Sequence, residues 1–299
     1  MASSTETAAQ AHAGPTSSEY IVHHLKHFNG TGEGQTKIID FTLINWDSVV
    51  VSILLGCLVA FLMWRAAKAV TTGAPGRFVG AIESLVEFVH EQARSIVKGD
   101  LSYIAPLALI SFVWIFAMNA MDFLPLDLIP RAWEWFYSVT GRDPHHAYIR
   151  VVPTADLNAT MAMSLVVFFA SIYYGIKIKH PGHFLHELVS APFGSPKNIF
   201  LKIVMGIVNL IFQVIEYLAK TVSLGMRLFG NMFAGELVFM LIALMGGAFA
   251  FSVSGFLLGA GHILAGSAWA IFHILIVLLQ AFIFMMLTLV YLGQAHDAH

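Results

Sequence analysis

Long apolar segments separated by short polar ones dominate the chain from residue 44 onward. Crossing a bilayer takes about 20 mostly apolar residues in a helix. Five segments approach or exceed that length, namely 44–64, 102–121, 157–175, 199–245 and 262–291. The pattern predicts an all-α polytopic membrane protein with its membrane domain over residues 44–295. The polar segments 122–156 and 177–197 between them are expected to be loops.

Residues 77–98 follow a different pattern, in which apolar and charged side chains occupy opposite faces of a helix. The apolar face carries Phe78, Ile82, Leu85, Val86, Val89, Ala93, Ile96 and Val97, and the other carries Arg77, Glu83, Glu87, Glu91, Arg94 and Lys98. A helix with this many charges does not cross lipid. We therefore expect an amphipathic helix at the cytoplasmic membrane surface or against a partner.

The last two apolar segments are unusually long. As continuous helices, 199–245 and 262–291 would measure about 70 Å and about 45 Å at 1.5 Å per residue. A hydrocarbon layer of about 30 Å does not hold the longer one upright, so it either tilts steeply or consists of two helices. Hydropathy is compatible with both.

The distribution of basic residues predicts the orientation of the chain. Lysine and arginine concentrate in 65–100 and 177–202, whereas 122–156 carries three arginines against five acidic residues. Basic loops remain on the cytoplasmic side of a membrane. Residues 1–43 are thus expected to form a polar tail on the outer side of the membrane.

Composition excludes several classes of protein. Only 11% of the residues are charged, less than half of the roughly one quarter found in soluble domains. The segment from Leu237 to His296 contains no Asp, Glu, Lys or Arg. The net charge of −2 offers no basic surface for nucleic acid. A single cysteine, Cys57, excludes an intrachain disulfide framework and a thiolate metal site.

His23 and His27 are spaced for a metal on a helix, but a solvated helix face is the simpler interpretation. We expect no metal and no cofactor.

Two charges inside the long segment point to function. A charged side chain in mid-span costs about 2.5–3.5 kcal/mol on insertion scales, and the guanidinium of Arg227 stays charged at every relevant pH. Glu236 follows nine residues later, about 180° away around a helix, so an intrahelical ion pair is not expected. Gly230, Asn231 and Ala234 lie on the face of Arg227, where small residues allow another helix to approach. The countercharge of Arg227 is therefore expected on another subunit.

The final segment adds two polar side chains on one face. His273 and Gln280 are seven residues apart, about 10 Å along a helix. A lone buried histidine is more often a packing residue. Together with an intramembrane Glu236 and Arg227, however, His273 favours a proton pathway, because glutamate and histidine both titrate.

At this point the sequence resembles a known family. The segment Ser223 to Glu236, SLGMRLFGNMFAGE, resembles the signature of subunit a of the F-type ATP synthases, and so does WAIFHILIVLLQAFIF from Trp269 onward. The upstream segments IAPLAL, NAMDFLP and VVPTADLN resemble it too. The similarity covers roughly residues 40–295 in consistent order, and the bacterial form is the most similar.

This resemblance implies a stator subunit in the bacterial inner membrane with a cytoplasmic C-terminal tail at 296–299. The last two segments would form a steeply tilted hairpin against a rotating ring of c subunits. Arg227 would face the ring between two offset aqueous half-channels, with Asn231 and Gln280 beside it. Glu236 and His273 would line the periplasmic path.

Four further residues are implied with less support from the pattern. Asp156 and Asp47 would stand at the outer mouth, and Ser223 would belong to the cytoplasmic path. Some relatives are acidic where this chain has Gln213, so Glu216, one turn later, is a candidate replacement. Ion identity stays open between proton and sodium, with protons favoured by His273 and Glu236.

The implied partners are the c-ring, the peripheral-stalk b subunits, the rest of the ATP synthase, the lipid bilayer and protons. Helix 77–98 is the expected contact with the stalk. The subunit would have no catalytic site of its own and would couple proton flow to ATP synthesis.

Two other functions compete with this interpretation. A stand-alone anion or proton-coupled secondary transporter could use Arg227 to bind its solute, but such folds usually contain two similar halves, and no internal repeat is present. A membrane protease or other membrane enzyme would need a Ser/His pair, HExxH or paired aspartates in the spans, and the spans contain none.

Overall fold

The computed structural model describes residues 17–29, 43–71, 73–125, 128–143, 147–190, 193–194, 198–247 and 251–294. The α-helices in these residues are α1 (Ser17–Leu25), α2 (Trp46–Lys68), α3 (Arg77–Ile96), α4 (Ile104–Ala120), α5 (Leu128–Val139), α6 (Leu157–Lys179), α7 (Pro181–Ser190), α8 (Ile199–Gly247) and α9 (Val253–Gly293). Short 3-10 helices occupy Met121–Phe123 and Pro153–Ala155. Most of the predicted tail 1–43 and all of the tail 296–299 lie outside the described residues.

Five helices are long and apolar enough to span a membrane, which confirms the predicted fold class. They are α2, α4 with the following 3-10 turn, α6, α8 and α9. α2 and α6 run past their predicted ends at residues 64 and 175 to finish at Lys68 and Lys179. Basic side chains are favourable in the last turn of a helix, and their long stems reach polar surroundings from an apolar segment.

The long segment after residue 198 is one continuous helix. α8 contains 49 residues without a break, so the two-helix alternative is wrong. α9 begins at Val253, nine residues before the predicted start at 262, because the glycines of this stretch, Gly255, Gly259 and Gly261, are accommodated inside an apolar helix. Glycine is more frequent in membrane helices than in soluble ones.

The amphipathic helix is also present, as α3. Its buried residues are Val79, Val89 and Ala93, of which Val89 and Ala93 belong to the predicted apolar face. Near its end the Ile96 side chain lies against Gly293 of α9, where an added Cβ would come within 3.3 Å.

Two segments expected to be loops contain helices, so that expectation was wrong. α5 forms inside 122–156, where Trp133 contacts Phe136 and Tyr137 through their rings. α7 begins at Pro181, because proline at the first helical position has the required φ and gives up no helical hydrogen bond. Both helices are short, but α5 separates apolar and polar side chains between two faces as clearly as α3 does, so its period was a usable signal.

The chain divides into two compact units. Unit 1 comprises Met1–Ser52, Ala120–Pro153 and Phe233–Leu275, and unit 2 comprises Ile53–Asn119, Thr154–Met232 and Ile276–His299. The core of unit 2 is apolar, with fully buried side chains that include Ile104, Ile115, Met118, Leu224, Leu228, Met285 and Leu289. In unit 1 the buried side chains include several charged groups.

Candidate functional site

In unit 1 the buried carboxylate of Glu236 on α8 is paired with Arg150. The Nη2 atom of Arg150 lies 2.5 Å from Oε2 of Glu236, and Nε donates to the same oxygen at 3.2 Å. The two side chains are only 5% and 8% exposed. A buried charge needs such a partner, since removing it from water is costly. Glu236 is thus satisfied by an arginine from the loop before α6.

Arg150 also holds the start of α2 and the segment that follows α1. Its backbone N–H donates to Oδ2 of Asp47 at 2.9 Å, and its Nη1 lies 3.2 Å from Nε2 of His27. The Nδ1 atom of His27 in turn lies 3.3 Å from both carboxylate oxygens of Asp47. His27, Asp47, Arg150 and Glu236 form what we call the Arg150 cluster.

Asp47 is the anchor of this cluster. Its carboxylate also accepts hydrogen bonds from the backbone N–H of Phe28 at 3.0 Å and of Ser48 at 2.8 Å. It lies in the first turn of α2, where the helix dipole favours a negative charge. One buried acid therefore fixes three chain segments around Glu236.

His273 forms a second buried pair in unit 1. Its Nε2 atom lies 2.6 Å from Oδ2 of Asp122, and the imidazole has no solvent exposure. The rings of Phe123 and Phe239 meet it edge-on, with centroids 5.8 and 5.1 Å away. Gly235 gives the imidazole its room, because a Cβ at that position would overlap the ring.

A small cavity joins these two groups of side chains. It measures about 40 Å³, and its lining includes Asp122, Arg150, Glu236, His24, Met121 and Met240. About 10–15 Å³ of such space holds one water molecule when polar partners are present. The structure therefore places Asp122 and Glu236 on one cavity large enough for water.

Arg227 in unit 2, unlike the buried and paired charges of unit 1, is exposed on α8, and no described residue forms an ion pair with it. Asn231, one turn later, donates from Nδ2 to the backbone carbonyl of Arg227 at 2.9 Å. A Cβ at Gly230 would meet no atom within 4 Å. The Arg227 face of α8 is therefore not covered by the described part of the chain.

The other side of this stretch of α8 is packed. Leu224, Leu228 and Met232 are 2% exposed or less. At Gly225 an added Cβ would meet the Sδ atom of Met161 on α6 at 2.6 Å. The helix thus turns its large apolar side chains to the core of unit 2 and its arginine away from it.

The remaining sequence candidates lie in varied surroundings. Gln280 is buried on α9. Asp156 is the N-cap of α6 and accepts from the backbone N–H of Asn158 at 2.9 Å. Ser223 is exposed. Glu216 is exposed as well, and its Oε1 lies 2.6 Å from Nζ of Lys220.

Lys220 belongs to a second small cavity, which lies in unit 2. This cavity measures about 20 Å³, and its polar lining includes Ser164, Tyr217, Lys220, Thr221, Tyr291 and Gln294. Lys220 donates to Oε1 of Gln294 at 2.9 Å, and Gln213 is hydrogen-bonded to Tyr217. Glu216, Lys220 and Gln294 therefore form a connected polar group at one edge of unit 2.

Sequence reasoning missed Arg150, Asp122, His27 and Lys220 as site residues. Asp122 directly follows the predicted span 102–121, and a charge at that position was a usable signal. Arg150 lies inside the predicted loop 122–156, where a charged residue is ordinary. The solvated helix face expected for His23 and His27 is wrong for His27, because α1 ends at Leu25 and His27 contacts Asp47 instead.

Known proteins of similar sequence match this chain over nearly its whole length. The family profile described as ATP synthase A chain matches residues 49–293. The chain is 60% identical over 294 residues to a protein of Paracidovorax citrulli (strain AAC00-1) named ATP synthase subunit a, covering 98% of this chain and 100% of that protein. Proteins of the same name from Acidovorax sp. (strain JS42) and Verminephrobacter eiseniae (strain EF01-2) are 60% and 56% identical, with the same coverage.

Proposed function

The chain belongs to the ATP synthase A chain family, and we propose that it is the stator subunit that guides protons to and from the carboxylates of a rotating c-ring. It is a multi-pass membrane protein and part of the ATP synthase complex, in which proton flow is coupled to ATP synthesis. Relatives named ATP synthase subunit a match it over their full length, which leaves the stand-alone transporter without support.

The exposed Arg227 is the observation that carries the proposed mechanism. A permanent cation on an uncovered face of an apolar helix needs a countercharge, and a ring carboxylate passing this face supplies one. The cation stabilises that carboxylate as an anion at the interface. It also repels a proton that would otherwise cross directly between the two half-channels. Each leaked charge would waste about 2.3 kcal/mol per 100 mV.

Asn231 and Gln280 are proposed to assist Arg227. The Asn231 amide donates to the carbonyl of Arg227, which keeps that amide close to the arginine, and Gln280 contributes a buried amide on α9. Neither amide titrates, so both can orient the charged groups without exchanging protons.

Unit 1 is proposed to provide the periplasmic half-channel. Glu236 and Asp122 line a cavity large enough for water, and His273 contacts Asp122. Two titratable groups on one cavity of this size, with a third in contact with one of them, form an arrangement that a proton relay can use. Asp47 is proposed to anchor the outer mouth through the Arg150 cluster, and Asp156 to stand near that mouth.

Unit 2 is proposed to provide the cytoplasmic half-channel. Ser223 and Glu216 lie on α8, and Glu216 is linked through Lys220 to Gln294 and the second cavity. Gln213, where some relatives carry an acid, is engaged with Tyr217. Glu216 is therefore the proposed acidic group on the exit side.

The remaining assignments follow from this function. The protein is proposed to reside in the bacterial inner membrane with residues 1–43 periplasmic and residues 296–299 cytoplasmic, and with the membrane domain over 44–295. It is proposed to have no catalytic site of its own. α3 is the proposed contact with the peripheral-stalk b subunits, since its charged face is exposed.

Cross-linking tests the proposed ring interface directly. In a Cys57→Ser background, Gly230→Cys is labelled with a photoreactive maleimide in the purified complex and illuminated. We expect capture of a c subunit together with loss of ATP-driven proton pumping. Glu83→Cys on α3 is the matched control and is expected not to capture the ring. An assembled complex in which the label at residue 230 captures no ring subunit would contradict the proposal.

A further inference from the structure

α5 is apolar on two opposite faces, and its polar side chains form a narrow stripe along one edge. The outward apolar face consists of Leu128, Trp135 and Val139, which are 55%, 69% and 65% exposed. Their spacing of i, i+7 and i+11 places them in one line along a helix. Arg131 and Ser138 lie on the polar stripe and are exposed as well. The helix therefore turns large apolar side chains away from the protein.

The inward face of α5 accounts for its place in the fold. Pro130 and Tyr137 are buried. Pro130 and its neighbour Ile129 also line the cavity shared by Glu236 and Asp122. Since this face alone packs α5 against unit 1, the packing of the chain gives no reason for a second apolar face on the opposite side.

Two contacts place α5 beside the end of a membrane span. The ring of Trp133 meets the ring of Phe28 edge-on, with their centroids 6.0 Å apart, and the backbone carbonyl of Phe28 accepts a hydrogen bond from the N–H of Trp46 at 3.0 Å. Trp46 is the first residue of α2, which is long and apolar enough to span a membrane, and it is 50% exposed. α5 therefore lies close to the level at which α2 enters the hydrocarbon layer.

The short connection before α5 gives the same location. The span that contains α4 ends at Phe123, and α5 begins at Leu128. Five residue steps reach at most about 18 Å, and the headgroup region extends about 5–8 Å beyond the hydrocarbon on each side. The start of α5 is thus held near the headgroups.

A lipid surface is the partner that fits this face and this location. Tryptophan is enriched at membrane–water interfaces, because its ring is apolar and its N–H reaches a polar group. An amphipathic helix in that layer buries its apolar face about 5–10 Å into the boundary between headgroups and acyl chains. Arg131 and Ser138 border the outward face of α5, where headgroups and water would begin.

We propose that α5 is an interfacial helix, with Leu128, Trp135 and Val139 in lipid at the membrane surface and its inward face forming a wall of the Glu236 cavity. The helix then has the bilayer on one side and the cavity on the other. This inference goes beyond the stator function and does not rest on it, because it requires only that the chain is embedded in a membrane.

Spin labels measure the depth of individual side chains in the purified complex, reconstituted in liposomes. In a Cys57→Ser background without other accessible cysteines, Trp135→Cys, Val139→Cys and Ser138→Cys are labelled one at a time. Relaxation by oxygen, which concentrates in lipid, is compared with relaxation by a water-soluble nickel complex. We expect the labels at residues 135 and 139 to lie about 5–10 Å below the headgroup boundary. The label at residue 138 is the matched control and should lie about 5 Å shallower, a quarter turn around a helix about 10 Å across.

A second measurement needs no label. Lipids brominated on their acyl chains quench tryptophan fluorescence on contact. Trp135→Phe should remove strongly quenched emission from the membrane sector. Trp133→Phe, at a ring that is half-buried against Phe28, should remove emission that these lipids quench less. Both changes keep an apolar aromatic ring, so assembly should be retained.

Two results would overturn the proposal. Labels at residues 135 and 139 that meet the nickel complex as readily as the label at residue 138 would place the outward face of α5 in water. Labels shielded from both oxygen and nickel would show that another subunit, rather than lipid, covers this face. Either result leaves the stator function untouched, since that function is tested by proton pumping at Arg227.

Discussion

Two arginines of this chain are placed in opposite ways, and the contrast separates what holds the subunit together from what acts on a partner. Arg150 in unit 1 is 5% exposed and binds Glu236, His27 and, through its backbone, Asp47. Arg227 in unit 2 is exposed and has no ion pair among the described residues. A buried charge with a full set of partners maintains local structure. A charge on an uncovered apolar face is available to interact with a group outside the chain.

The contrast also predicts different consequences of losing each charge. Removing one partner of a buried ion pair leaves the other uncompensated and typically costs about 3–5 kcal/mol. Removing an exposed and unpaired cation leaves no buried charge behind. Changes at Arg150 should therefore affect folding and assembly first, whereas changes at Arg227 should affect transport first.

The largest expected effect on stability is that of Arg150→Ala. It leaves the buried Glu236 carboxylate without its cation, so the variant should lose about 3–5 kcal/mol of stability. The amount of subunit recovered in the purified complex measures this loss.

The control for this variant removes both charges. Arg150→Met combined with Glu236→Gln leaves no buried charge unpaired and should restore assembly, although not proton pumping. Full recovery of the Arg150→Ala subunit at ordinary thermal stability would break the contrast, because Arg150 would then be as dispensable to the fold as Arg227.

A smaller effect is expected from Gly235→Ala. The added Cβ overlaps the His273 ring, so the imidazole must leave its rotamer and its 2.6 Å contact with Asp122. A rotamer shift of that kind costs about 0.5–1.5 kcal/mol, and ATP-driven vesicle acidification should slow about tenfold. Gly247→Ala, on the same helix with no atom within 4 Å of an added Cβ, is the matched control. Equal rates for both variants would show that the His273–Asp122 pair is not needed in its present geometry.

Glu216→Gln should have a moderate effect confined to transport. Glu216 is an exposed member of an i,i+4 pair with Lys220, and such pairs contribute only about 0.3–0.5 kcal/mol. Stability should therefore be unchanged, while pumping slows about twofold to threefold as the exit side loses its acid. Glu83→Gln on α3 serves as the control, and an unchanged pumping rate for Glu216→Gln would remove this residue from the proposed path.

The smallest effect is expected from Lys179→Met. The Nζ atom of Lys179 lies 2.8 Å from Oε1 of Glu187, which ties the end of α6 to α7. Since Glu187 is partly exposed, the pair should contribute no more than about 1 kcal/mol. Faster proteolysis at the junction of α6 and α7 with unchanged pumping is the expected result. A loss of pumping would mean that this structural pair also serves transport.

The sequence allowed the spans to be predicted because lipid imposes a simple rule on length and polarity. It did not decide whether residues 199–245 are one helix or two, since hydropathy carries no information on where a continuous apolar segment bends. The short helices α5 and α7 were missed because their charged, aromatic and histidine residues were interpreted as loop composition, although α5 is as clearly amphipathic as α3.

The site was predictable to the extent that its charges lie inside spans. Arg227, Glu236 and His273 were selected because a polar group in an apolar helix is costly. Arg150 and His27 lie in segments where charged and polar residues are ordinary. Their partnership with Glu236 depends on tertiary packing, which no local pattern records.

The most direct test of the central claim, that Arg227 acts on the transported charge, is ATP-driven acidification of inverted membrane vesicles carrying Arg227→Ala. Passive proton leak is followed in the same vesicles after the soluble head is removed. The account predicts loss of pumping with the complex still assembled, and an altered leak between the two half-channels. Normal ATP-dependent acidification would contradict it and would make Arg227 a structural cation.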